Sequence, residues 1–145
     1  MSKFEELCQA YAASKQAYRE SRQACLEFTE IFIKQMSDYF ECPIELPQKP
    51  WFGDKSVLYF DLTIDLCENP ANPETGDRET VKISLSLEKV IDNFIVTVWP
   101  LGRDFKILID EPKHFEEAFE YIFDYLKSGY TGRSELASQE DPLPF

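Results

Sequence analysis

Residues 3–41 contain neither glycine nor proline, and no other feature restricts the possible folds as much. The stretch is rich in Ala, Gln, Glu, Lys and Arg, which lose little on entering a helix. Ser2 precedes it with Glu5 three residues on, the spacing of a capping box, and Pro43 and Pro47 end it. One helix over 3–41 follows. At 1.5 Å per residue it is ~57 Å long, whereas a ten-residue strand spans ~33 Å. The helix therefore outruns its own domain by ~15–20 Å.

Phe4, Tyr11, Tyr18, Cys25, Phe32 and Tyr39 share one heptad position along this helix, and Leu7, Leu26, Phe28, Ile33, Met36 and Phe40 widen the stripe. Residues 12–24 are mostly small or polar, so the C-terminal half is the strongly apolar one. The projecting half is then N-terminal and carries Phe4, Leu7, Tyr11 and Tyr18. Aromatic side chains on an isolated helix end are marginal in water and need a cover. A homodimer through residues 4–29 supplies one. The alternatives are a helix broken near Ser14 or Ser21 that folds back, or a helix that docks on a foreign partner.

Residues 43–55 read as a proline-rich connection, with Trp51 and Phe52 plugging the core edge. Alternating apolar residues then predict strands over 57–66, 80–88 and 104–110. Residues 93–99 are apolar on both faces and predict a central strand. Polar residues 68–79, an Asp92-Asn93 turn, and Pro100-Leu101-Gly102 separate them. A second helix is expected over 114–128, with Phe115, Ala118, Phe119, Ile122 and Leu126 inward and Gly129 as its C-terminal cap. The fold class is α+β: a long N-terminal helix, a four-stranded antiparallel meander and a C-terminal helix (α-β-β-β-β-α). Both helices cover one sheet face in a two-layer sandwich. One domain spans 1–133, and 134–145 is a loose acidic tail.

Among the 145 residues, 27 acids face 15 bases, giving a net charge of −12. Such a field repels nucleic acid and anionic lipid, and it attracts a basic protein. No apolar run approaches the ~18 residues of a membrane span, and MSKFEELCQAYAASK lacks the apolar core of a secretory signal. A cytoplasmic protein is expected. Cys8, Cys25, Cys42 and Cys67 form no CxxC pair and have only His114 to assist them, so they read as reduced thiols, with no metal site.

Chemistry finds little to work with. His114 sits at the start of a helix with no nucleophile beside it in sequence, and reads as a surface or capping residue. Asp61 and Asp65 share a strand face but lie ~13 Å apart, too far for a hydrolytic pair. No glycine-rich phosphate loop, GxSxG or HExxH occurs. No catalytic residue and no cofactor are expected. Two surfaces are left. Glu116, Glu120 and Asp124 recur every four residues with Glu117 beside them, a carboxylate ridge with steps of about 6 Å. Tyr59, Asp61, Asp65 and Trp99 share the sheet's open face, and Trp99, Tyr59 and Tyr121 are candidate aromatic anchors for a partner.

These features predict a non-enzymatic acidic protein that sequesters or inhibits a basic partner, as an immunity protein or nucleic-acid mimic does. The size, acidity, helix-flanked sheet and expected dimerisation also resemble type III secretion chaperones, which implies the alternative of a small acidic dimeric secretion or assembly chaperone. That family's short first helix differs from the long one here. A third possibility is a small ligand-binding or enzymatic domain using the open sheet face.

Overall fold

A computed structural model describes the backbone of residues 1–138 and the side chains of residues 1–132. The first helix, α1, is continuous from Lys3 to Phe40. The Ser2 hydroxyl accepts the Glu5 N–H at 3.1 Å, which meets one of the helix's free N–H groups, and the Ser2 carbonyl accepts the Glu6 N–H as the first bond of the helix. At the other end Glu41 turns left-handed (φ 54°), its N–H bonds back to the Ser37 carbonyl, and Ser37 Oγ donates to the Cys42 carbonyl at 2.7 Å. The break near Ser14 or Ser21 does not occur, and the helix does not fold back: residues 3–20 are all exposed.

The sheet has five antiparallel strands rather than four, in the order of the chain: β1 (Trp51–Phe52), β2 (Leu58–Cys67), β3 (Arg78–Val90), β4 (Asn93–Val98) and β5 (Arg103–Ile107). The added strand comes from the segment read as a connection. Trp51 pairs with Tyr59 and Phe52 with Leu58, so strand alternation turns these two neighbours to opposite faces. Phe52 is half-buried at the core edge, whereas Trp51 does not plug the core; it lies half-exposed and stacked on Tyr59 at 5.9 Å.

The remaining strands differ from expectation in length. β3 runs thirteen residues, because the whole of β2 pairs with it, from Leu58↔Leu87 to Cys67↔Arg78. The β3–β4 turn is Ile91-Asp92 rather than Asp92-Asn93, since Asn93 is already paired with Val90. β5 stops at Ile107 instead of 110. The Leu108 N–H is taken by His114 Nδ1 at 3.1 Å and the Leu108 carbonyl accepts the Glu111 N–H, so a turn begins there and leaves Ile109 exposed.

The second helix, α2, spans Pro112–Ser138. It starts two residues early because proline is well suited to the first helical position. It also passes through Gly129, the expected cap, and through Gly132. Tyr130 OH donates to the Glu79 carboxylate on β3, which ties this stretch of helix to the sheet. Residues 134–138 of the expected loose tail are therefore helical, and 139–145 lie outside the described residues.

The core lies between one sheet face and the two helices. Leu58, Phe60, Leu62 and Ile64 of β2, Ile83, Leu85 and Leu87 of β3, Phe94, Val96 and Val98 of β4, and Phe105 and Ile107 of β5 are buried there. From α1 come Cys25, Phe28, Thr29, Phe32 and Met36, and from α2 Phe115, Ala118, Phe119 and Ile122. Phenylalanine rings join the layers. Phe28 stacks on Phe94 at 4.2 Å and on Phe115 at 5.6 Å, and Phe32 meets Phe119 at 5.1 Å and Phe60 at 6.5 Å. Such pairs add to the area they bury through favourable ring geometry.

Candidate functional site

The face of α1 that enters the core at Cys25 continues past the sheet without a cover. Phe4 is 72% exposed, Leu7 70%, Tyr11 64% and Tyr18 43%. Arg22 marks the point where cover ends. Its guanidinium lies 4.1 Å from the Phe52 ring centroid and 5.0 Å from that of Tyr18, and its Nε is buried without a hydrogen-bond partner among the described residues. The cation thus bridges β1 and the last aromatic residue of the free half. That free half, residues 3–20, is about 27 Å of helix.

Glu116, Glu117, Glu120 and Asp124 are all exposed on α2, because Phe115, Ala118, Phe119 and Ile122 occupy its inner face. The structure places the four carboxylates on the outside, as expected from their spacing. Among the described residues the one ion pair is Lys3–Glu6, at 3.6 Å on α1. None of the four carboxylates is in an ion pair among the described residues, although Lys113 and Lys127 flank the ridge on the same helix.

The open sheet face brings part of its expected set together. Ser86 pairs across the ladder with Tyr59 and accepts the Trp99 Nε1–H at 3.1 Å, so Tyr59 and Trp99 flank it and leave it 5% exposed. Asp61 sits opposite Ser84, one position along. Asp65 does not join this group. It lies farther along β2 and accepts from Thr80 Oγ1 at 2.6 Å. Thr97 Oγ1 likewise donates to Asp104 at 2.6 Å, so these carboxylates are held by hydroxyl rungs. Tyr121 lies elsewhere, packed against Phe105 at 5.4 Å on the core side. Trp51 is an aromatic member of this face that the sequence reading missed. Its signal was its alternation with Phe52, hidden among prolines.

His114 Nδ1 serves as an acceptor for the backbone where β5 gives way to α2. All four cysteines carry free thiols. Burial pushes the Cys25 thiol above its ordinary value of 9.0, against a smaller opposing effect from the Lys89 N–H. Burial raises Cys42 as well. Both thiols are therefore protonated at neutral pH, the form that is neither nucleophile nor metal ligand. Among the described residues no group of three His, Cys, Asp or Glu side chains could hold a metal ion, and no helix is long and apolar enough to cross a membrane.

No protein-family model, curated protein or solved structure matches the chain.

Proposed function

We propose that this chain is a non-enzymatic, acidic protein-binding protein of the cytoplasm, built on a two-layer α+β plan. It self-associates through the free half of α1 and sequesters or inhibits a basic protein partner. One observation carries the reading: the stripe that anchors α1 in the core continues for five further turns with Phe4, Leu7, Tyr11 and Tyr18 in solvent. An uncovered apolar stripe on a helix is stabilised by a second helix laid along it. The exposed ridge at Glu116, Glu117, Glu120 and Asp124, in no ion pair among the described residues, supplies the sign of the partner and a means of steering it.

Light scattering tests self-association. The protein should be dimeric at micromolar concentration, and changing Phe4, Tyr11 and Tyr18 to Ser should yield a folded monomer. A wild-type chain already monomeric there ends that part of the reading. For the partner, Glu116→Lys, Glu120→Lys and Asp124→Lys together should abolish capture of a basic protein from the host, and capture by the wild type should weaken with salt. Capture that survives the triple reversal contradicts it. The open edge of β3 described below favours a second reading, a secretion or assembly chaperone that holds an extended segment.

A further inference from the structure

We propose that the unpaired edge of β3 at Arg78–Ile83, with the groove it forms against α2, takes an extended basic segment of the partner protein as an added strand. The proposal rests on the basic-partner reading and says where and in what conformation that partner binds.

β3 is longer than the strand beside it. β4 pairs with β3 only between Leu85 and Val90, and one further bond follows, from the Trp99 N–H to the Ser84 carbonyl at 3.0 Å. The chain then turns through Pro100 and Gly102 into β5. β3 nevertheless extends back to Arg78, paired along its other side with β2 as far as Cys67. Backbone groups alternate sides with a period of two, so Lys82 and Thr80 point their N–H and C=O the same way as Ser84. Among the described residues no strand meets them there.

The other edges are handled differently. The outer edge of β2 is covered by β1 at Leu58 and Tyr59, and by Glu45, which exchanges both backbone hydrogen bonds with Thr63 at 3.1 and 2.9 Å. β5 is five residues long and carries Arg103 and Lys106. Covering, shortening and charging an edge are the usual protections against unwanted strand addition. The free stretch of β3 carries Arg78, Glu79 and Lys82, but among the described residues it has no cover, and a groove of about 550 Å³ lies beside it instead.

That groove has the shape and polarity for a strand. Glu79, Thr80, Val81 and Lys82 form one wall and Tyr125, Leu126 and Gly129 the other. Gly129 contributes space, because a Cβ built there meets nothing within 4 Å. On the helix side Val81 and Leu126 offer apolar surface, and on the other side Thr80 and Lys82 face the open sheet. An added strand would therefore place alternate side chains in apolar and polar surroundings, as strand-adding peptides do. At its far end the groove adjoins a cavity of about 610 Å³ whose lining, among the described residues, holds the carboxylates of Glu68, Asp77 and Glu79 and the cation of Arg78. That end selects a lysine or arginine. The same carboxylates argue against a second copy of this chain, since edge-to-edge pairing would bring two acidic ends together.

The test uses the full chain and a synthetic peptide of alternating Lys and Val, followed by backbone-amide hydrogen exchange. The Thr80 and Lys82 amides should exchange quickly in the protein alone, and saturating peptide should slow both by about tenfold or more. Gly129→Leu fills the groove from an open helix position and should weaken peptide binding by about tenfold, with the helical circular dichroism retained. The same peptide with Glu in place of Lys should not bind. Absence of binding by the Lys peptide overturns the proposal. So does protection already present in the free protein: if it depends on protein concentration the occupant is a second copy, and if it is released by truncation after Ser138 the occupant is the chain's own terminus. Binding that leaves the Thr80 and Lys82 amides unprotected but is lost on reversing Glu116, Glu120 and Asp124 keeps the basic-partner reading and overturns only the edge.

Discussion

Phe32 shows how much one side chain decides. It is fully buried on α1, and its ring reaches Phe60 on β2 and both Phe115 and Phe119 on α2. It therefore touches the sheet and both helices at once. Removing such a ring forfeits its transfer free energy and leaves a cavity between rigid neighbours. Phe32→Ala should destabilise the protein by about 3–5 kcal/mol in urea denaturation. A loss below ~1 kcal/mol would mean that the sheet and the two helices do not meet at this residue. Gly102 acts at the same scale through absence of a side chain. It adopts φ 72°, and a Cβ there would stand 3.3 Å from the Trp99 ring, so the tryptophan can lie across the turn and reach Ser86.

At the scale of elements, the β3–β4 hairpin carries a visible strain. Its two-residue turn places Ile91 at φ 58°, a left-handed conformation that costs a branched side chain about 1–2 kcal/mol. The side chain is 83% exposed, so no burial offsets that cost. Asp92 is not at positive φ, so the turn has the II′ pattern, which favours glycine at its first central residue. Ile91→Gly should raise stability by about 1 kcal/mol, read as a higher melting temperature in calorimetry. An unchanged or lower value would show that Ile91 is not held in this conformation. α1 divides differently. Its covered half is defined by Phe28, Phe32 and Met36 against the sheet, while its free half rests on propensity and the Ser2 cap.

At the scale of the whole molecule, charge is the dominant unbalanced quantity. The net charge of −12 is met, among the described residues, by one ion pair. Self-repulsion then opposes the compact state and is screened within about 10 Å at 0.1 M salt. Raising sodium chloride from low to moderate concentration should therefore raise the unfolding free energy from urea denaturation by about 1 kcal/mol. Most proteins with paired surface charges gain little from such a change, and a fall in stability with salt would show that attractive pairs dominate here. The same field that costs stability would speed the approach of a basic partner and slow that of a second acidic molecule.

Much of this architecture was legible in residue order. The absence of Gly and Pro over 3–41 determined α1, its excess length and the projection of Phe4, Leu7, Tyr11 and Tyr18, because helix propensity and rise per residue are local properties. Alternation along β2, β3 and β5 likewise determined which side chains form the core face, and fourfold spacing placed Glu116, Glu120 and Asp124 on the outside of α2. What local pattern could not decide was where pairing starts and stops. Trp51 and Phe52 became a strand because β2 offered a free edge, α2 ran through Gly129 while Tyr130 reached Glu79, and β3 outlasted β4 because β2 alone supported its first residues. Each of these depends on a neighbour distant in the chain, and that is why the groove beside β3 exists only in the folded molecule.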